Sequence, residues 1–147
     1  MTPRRIFVHQ GQAPSNGHGP RSVISPDGQR QLVAWRPSGL TEIARRAGVE
    51  AVVARQGSAF CIYYMDHAPR DWHDLAEHHE FRFDEEVRRQ MISRGVYVFP
   101  LATKQWSLSC AHTAADVEQT LAVFEESLKA ALDRQPPLHR SVPLGKA

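Results

Sequence analysis

A change of composition at Ser38 limits which part of this chain of 147 residues can build a core. Beyond the short apolar stretch 6–8, residues 1–37 show no hydrophobic periodicity. They are interrupted by Pro3, Pro14, Pro20, Pro26 and Pro37 and by Gly11, Gly17, Gly19 and Gly28. Such a segment buries too little apolar surface to offset the entropy lost on ordering. We therefore expect a poorly structured arm over 1–37, a domain over 38–134 and a loose tail over 135–147.

Charge and cysteine content narrow the class of protein. Residues 1–59 carry eight arginines against three acidic residues, but these arginines follow no helical face. This pattern favours an incidentally basic arm, with nucleic-acid binding as the less favoured alternative. No run approaches the ~20 apolar residues of a membrane span. The opening residues contain no apolar signal region, and Cys61 and Cys110 form no CxxC pair, so we expect a cytoplasmic protein with free thiols.

Hydrophobic periodicity beyond Ser38 predicts three helices and four strands. We expect helices over 38–47, 84–94 and 113–135, and strands over 50–55, 59–65, 96–99 and 107–110. Asp84 is the expected cap of the second helix. Strands of this length with short loops predict an α+β fold, in which an antiparallel sheet of about four strands carries helices on one face.

The last helix gives the clearest pattern. Thr113 and Asp116 resemble a capping box, and the apolar residues Val117, Leu121, Phe124, Leu128 and Leu132 follow at helical spacing. Glu125 and Lys129 stand four positions apart, where opposite charges on a helix pair. The interior-facing side of this helix is therefore predicted directly from the sequence.

Two groups of residues are candidates for a metal site or a catalytic site. His67, His73, His78 and His79 lie within thirteen residues, but their spacing matches no helical metal motif such as HExxH. We expect a polar loop over 66–80, with a metal site as the less favoured alternative. Cys110 precedes His112 by two positions, but a strand end and a helix start explain both residues without catalysis.

Three segments resemble a known family. Gly57-Ser58-Ala59-Phe60, Gly95-Val96-Tyr97 with Pro100, and Ser109-Cys110-Ala111-His112-Thr113 occur in the order seen in the C-terminal part of class III pyridoxal-phosphate aminotransferases. Within that class the residues are most similar to the glutamate-1-semialdehyde 2,1-aminomutases and their relatives. The resemblance covers about residues 38–134. It implies the small domain of the fold type I architecture, which in the family packs on a large domain and forms dimers.

The resemblance also implies what this chain lacks. In the family the large domain holds the lysine that forms a Schiff base with pyridoxal phosphate, and that segment has no counterpart here. The three lysines are Lys104, Lys129 and Lys146, and none of them stands in the family's Schiff-base motif. We therefore expect no catalytic, cofactor-binding or metal-binding residue in this chain, and no binding of pyridoxal phosphate by the chain alone.

One position remains a candidate for contact with a substrate. In the aminomutases the loop before the S-x-A-H-T motif carries a glutamate near the active site, and Lys104 occupies the matching position here. Lys104 is thus a substrate-facing candidate in an assembled enzyme, unless it is simply an exposed loop lysine. The difference puts the aminomutase substrate in doubt but not the resemblance.

Two functions from different classes follow. The chain is either the small-domain part of an aminotransferase, from a split enzyme or a truncated gene and inactive alone, or a non-enzymatic interaction or oligomerisation domain. The first needs a large-domain chain as partner. The second predicts self-association through the sheet face that the large domain would otherwise cover.

Overall fold

The computed structural model describes residues 6–7, 38–109 and 111–134. Its strands are β1 (Ile6–Phe7), β2 (Val52–Gln56), β3 (Ala59–Tyr63), β4 (Val96–Tyr97) and β5 (Trp106–Ser107). Its helices are α1 (Ser38–Arg46), α2 (Trp72–His78), α3 (Phe81–Ser93) and α4 (Ala114–Arg134). Most of the predicted arm, the predicted tail and Cys110 lie outside the described residues.

The sheet is built on the hairpin of β2 and β3. The two strands pair antiparallel from Val52 opposite Tyr63 to Gln56 opposite Ala59, across a turn at Gly57. β5 adds antiparallel on the other side of β3, with Phe60 opposite Trp106. The predicted α+β fold with an antiparallel sheet is confirmed, with three strands in that sheet. β4 does not join it, and pairs in parallel with β1.

The core lies between this sheet and the helices. Its buried side chains are Leu40, Ile43, Ala44, Val49, Phe60, Ile62, Tyr64, Phe83, Val87, Met91, Val96, Val98, Trp106, Phe124, Leu128 and Ala131. Of the apolar positions predicted for α4, Phe124 and Leu128 belong to this cluster and Leu121 and Leu132 pack against it. Val117 is buried as well. Among the described residues no helix is long and apolar enough to cross a membrane.

Local signals set most of the helix ends. Thr113 and Asp116 form the predicted capping box at the start of α4, with the Asp116 carboxylate accepting from the Thr113 backbone N–H at 2.7 Å. Gly95 follows α3 at a φ of +89°, a left-handed conformation that L side chains rarely adopt. Gly48 has the same role after α1, at a φ of +70°.

Two predictions about residues 66–94 are wrong. The loop expected over 66–80 contains a helix, α2, whose first turn is capped by the Asp71 carboxylate accepting from the Asp74 N–H at 2.9 Å. The next helix, α3, begins at Phe81 rather than after a cap at Asp84. Asp84 lies inside its first turn and is buried, because its carboxylate has partners in the interior of the protein.

Candidate functional site

A buried arginine attaches the loop over 99–105 to α3. The Arg88 side chain is fully buried, and its Nε donates to Asp84 Oδ1 at 2.6 Å. Its two terminal nitrogens donate to backbone carbonyls of the loop, Nη1 to Phe99 O at 3.0 Å and Nη2 to Lys104 O at 2.9 Å. The guanidinium thus satisfies the backbone at both ends of the loop, which defines the loop's position relative to the helix.

The Asp84 carboxylate completes this buried network. Its Oδ2 accepts from the Thr103 backbone N–H at 2.7 Å, and it lies 3.2 Å from His79 Nε2. His79 Nδ1 accepts from the Tyr64 N–H at 3.1 Å, so Nε2 carries the proton and donates to Asp84. A charged pair is stable in such a place only when further hydrogen bonds satisfy both groups, and here they do.

The network presents the side chain of Lys104 to solvent. The Lys104 side chain is exposed, and its ammonium lies 6.0 Å from the centroid of the Phe99 ring. Its backbone carbonyl accepts a hydrogen bond from the buried Arg88. Thr103, just before it, has a φ of 60°, which is uncommon for a residue with a Cβ and fits a tightly held turn. Leu101 in the same loop is half exposed. The loop therefore offers one cation and one apolar side chain on a fixed backbone.

Cys61 lies beneath this loop and is a poor nucleophile. Its Sγ is 3.3 Å from the Thr103 carbonyl, and burial raises the pKa of the thiol above its ordinary value. A raised pKa leaves the thiol protonated near neutrality, whereas reactivity needs the thiolate. Burial also raises the pKa of the neighbouring Tyr63 to about 12. These groups are structural.

The four clustered histidines have three different environments. His73 is exposed on α2, and His79 belongs to the buried network below the loop. His67 and His78 instead meet at Asp74, whose Oδ1 lies 3.1 Å from His67 Nε2 and 3.3 Å from His78 Nδ1. One side-chain nitrogen or oxygen atom from each of these three residues lies within 4.8 Å of the other two.

Asp74 and Arg88 are the site residues that sequence reasoning missed. A comparison of the histidines with one another gives no metal-like spacing, because the third group is a carboxylate. Asp74 and His78 stand four positions apart, and the cap Asp71 before them is a helix signal that the expected polar loop obscured. The burial of Arg88 depends on a loop that is distant in sequence, so no local pattern indicates it.

His112 has a local structural role. Its Nδ1 accepts from the Ser109 backbone N–H at 3.0 Å and lies 3.1 Å from the Ser109 hydroxyl. These contacts close the turn between β5 and α4. Cys110, the other residue considered with His112 from the sequence, lies outside the described residues.

The described residues do not fit pyridoxal phosphate as a bound cofactor. Covalent chemistry with this cofactor needs a lysine amine in an enclosed site. Lys129 is exposed and pairs with Glu125 at 2.9 Å, as its spacing predicts, and the Lys104 ammonium is exposed beside the Phe99 ring. A cavity of about 190 Å³ beside α2 is lined by Glu50, Asp66 and Glu80, whose carboxylates would repel a phosphate.

Two curated relatives of the chain carry the same enzyme name. No family model matches the chain. A glutamate-1-semialdehyde 2,1-aminomutase from Methanopyrus kandleri is 36% identical over 83 residues, which are 55% of this chain and 19% of that enzyme. Another, from Sorangium cellulosum, is 34% identical over 100 residues, 68% of this chain and 23% of that enzyme. The chain thus spans about a fifth to a quarter of the length of the curated relatives it matches.

Solved structures show the same fold. A glutamate-1-semialdehyde aminomutase from Pseudomonas aeruginosa PAO1 superposes with a TM-score of 0.64 at 23% identity, over 76% of this chain and 25% of that one. An omega-transaminase from Sphaerobacter thermophilus gives 0.60 at 23% identity, over 74% and 25%. The chain is therefore similar to part of the glutamate-1-semialdehyde 2,1-aminomutases and has an aminotransferase-like fold.

Proposed function

We propose that this domain is the small domain of a pyridoxal-phosphate-dependent aminotransferase or aminomutase, and that a large domain supplies the cofactor site. The observation that carries the proposal is the match itself. The described residues fold as one part of such enzymes, and none of the lysines among them can serve the cofactor. On this proposal the chain is inactive alone and active only in an assembly.

The loop over 99–105 supports the proposal, because two of its side chains lie at the protein surface while its backbone is hydrogen-bonded to the interior. Its backbone is held by Arg88 and Asp84 from inside the domain, while Leu101 and Lys104 point outward. In the assembled enzyme Leu101 packs on the large domain. Lys104 faces the substrate, where its charge favours an anionic group at the end away from the reacting amine.

A domain replacement tests the proposal. The 100 matched residues of the Sorangium cellulosum aminomutase are replaced by their counterparts from this chain. We expect the hybrid to purify with pyridoxal phosphate and to show the visible absorption of a Schiff base. This chain alone, mixed with the cofactor, should show no band that depends on one lysine. A folded hybrid without the band would contradict the proposal, as would a lysine-dependent band in the chain alone.

The role of Lys104 is tested in the same hybrid. We expect Lys104→Ala to lower kcat/KM of the hybrid for glutamate-1-semialdehyde, which carries a carboxylate, and to change it little for the uncharged amide analogue. Lys129→Ala, which removes an exposed lysine on α4, is the matched control and should change neither value. Equal effects of the two variants would overturn the assignment.

Oligomeric state separates this proposal from the alternative of an interaction domain. Light scattering on the purified chain should show a monomer or weak, nonspecific association. A stable dimer that persists at low micromolar concentration and blocks assembly with a large domain would favour the alternative.

A further inference from the structure

The geometry points to a divalent transition-metal site formed by His67, Asp74 and His78, for which Zn²⁺ is the best-suited ion. This inference is independent of the aminotransferase proposal, because it uses only residues around α2. Two imidazole nitrogens and one carboxylate oxygen form a donor set that zinc and similar ions accept.

Two of the donor–donor distances are close to what one small cation requires, and the third needs a ring movement. Ligands at the ~2.0–2.2 Å typical of zinc stand about 3.3–3.6 Å apart in tetrahedral coordination. Asp74 Oδ1 lies 3.1 Å from His67 Nε2 and 3.3 Å from His78 Nδ1. All three donor atoms lie within 4.8 Å of one another. A small rotation of the two rings would bring them to a common centre.

The carboxylate is held in place before any ion arrives. The Asp74 side chain is only 4% exposed, and its Oδ2 accepts from the Arg70 backbone N–H at 2.9 Å. The Asp74 N–H in turn donates to the Asp71 carboxylate, which fixes the start of α2. His67 Nε2 lies 3.1 Å from both carboxylate oxygens, and Oδ1 is the oxygen that also lies near His78 Nδ1, at 3.3 Å. Such pre-orientation is typical of metal ligands and reduces the entropy lost on binding.

Asp66 sets the tautomer of His67 that a metal needs. Its carboxylate accepts from His67 Nδ1, so that Nδ1 carries a proton. The opposite nitrogen, Nε2, is then the one that faces Asp74. A carboxylate behind a metal-binding histidine is the usual outer partner in zinc sites, since it orients the ring and increases its basicity.

The surroundings favour a cation and leave room for water. Asp66 and His78 also line the cavity of about 190 Å³, together with Glu50 and Glu80. The cavity can hold water as a fourth ligand. His78 Nδ1 also lies 2.9 Å from the Asp74 backbone carbonyl, a contact that a bound metal would have to displace. The other competing group is the Arg70 guanidinium, which donates to Asp74 Oδ1 at 2.8 Å. Its side chain is 76% exposed, so it can move into solvent when a metal takes that oxygen.

Metal titration of the full chain, carrying no histidine tag, tests the inference. Calorimetry with Zn²⁺ at slightly alkaline pH should show a site lost in His67→Gln and in His78→Gln. We expect each change to weaken that site by more than the ~10–100-fold typical for an outer partner. His73→Gln, which removes an exposed histidine of the same helix, should leave the affinity unchanged. Absence of binding, or equal loss in all three variants, would overturn the inference.

Two further measurements keep the test decisive if a variant unfolds. In the wild-type chain, Zn²⁺ should shift the side-chain nitrogen resonances of His67 and His78 and leave those of His73 in place. Arg70→Gln should tighten Zn²⁺ binding, because it removes the competing guanidinium. Unchanged His67 and His78 resonances at saturating Zn²⁺, or weaker binding in Arg70→Gln, would contradict the site.

Discussion

At the scale of the residue, a buried cation connects several parts of the interior of this domain. Arg88 is fully buried beside Asp84, and its remaining donors are used by the carbonyls of Phe99 and Lys104. Its Cζ also lies 5.8 Å from the centroid of the Trp106 ring, which adds a cation–π contact. Removal of one partner from such a pair leaves the other charge buried and uncompensated.

We therefore expect Arg88→Met to lower the free energy of unfolding by about 3–5 kcal/mol, the range for breaking a buried ion pair. Arg45→Met is the matched control. Arg45 is 72% exposed and pairs with Glu42, which is 50% exposed, so its loss should cost about 1 kcal/mol or less. Urea unfolding of both variants measures the difference. A loss in Arg88→Met no larger than in the control would contradict the structural role of the buried pair.

Tyr64 makes stability depend on pH in the alkaline range. It is buried, and desolvation raises the pKa of its phenol well above the ordinary value of 10.0. Above pH 10.0 the unfolded chain therefore holds fewer protons than the folded protein, and stability falls as pH rises. Tyr64→Phe should reduce the loss of unfolding free energy between pH about 9 and about 11, and Tyr97→Phe, at the surface, should not. Equal losses in both variants would be the contrary result.

At the scale of the element, the start of α4 is set by side chains close in sequence. The Thr113 hydroxyl and the Asp116 carboxylate satisfy each other's backbone N–H groups. Thr113→Ala should destabilise the domain by about 1 kcal/mol, since it removes a helix cap. Thr113→Ser keeps the hydroxyl and should retain most of that stability. Thermal unfolding of the two variants compares them, and identical midpoints would argue against the capping box.

The elements that the sequence predicts correctly are those with local causes. Helix α4 follows from a capping box and an apolar period, and the hairpin of β2 and β3 from two short strands around Gly57. Helix α2 is not predicted from the sequence, because it has only seven residues and most of them are polar. The burial of Arg88 and Asp84 is not predicted from the sequence for another reason. A charged residue is expected at the surface, and these two residues are buried because the loop over 99–105, distant in sequence, supplies further partners for both of them.

At the scale of the whole molecule, the surface around the loop over 99–105 exposes apolar side chains. Leu101 is 50% exposed and Tyr97, just before the loop, is 39% exposed. Single exposed apolar residues are common on monomers, so this surface alone identifies no partner. Together with the proposed assembly, however, it makes a specific prediction.

Leu101→Lys should leave the stability of the isolated chain within about 0.5 kcal/mol of wild type, because an exposed position is changed. In the hybrid aminomutase the same change should lower the midpoint of thermal unfolding and the amount of cofactor retained. Trp72→Lys, which alters a side chain that is 64% exposed on α2, serves as control for a change outside this loop. Equal effects of both changes on the hybrid would remove the loop from the proposed interface.

The attachment of the loop by its backbone also has an evolutionary consequence. Arg88 contacts Lys104 through the carbonyl oxygen, a group that every amino acid provides. The identity of the side chain at position 104 is therefore decoupled from the stability of the fold. Replacements there can accumulate without a folding penalty, so a lineage can test new chemical preferences at this position while its scaffold stays constant. Directed evolution of the loop should begin at position 104 and leave Arg88 and Asp84 unchanged.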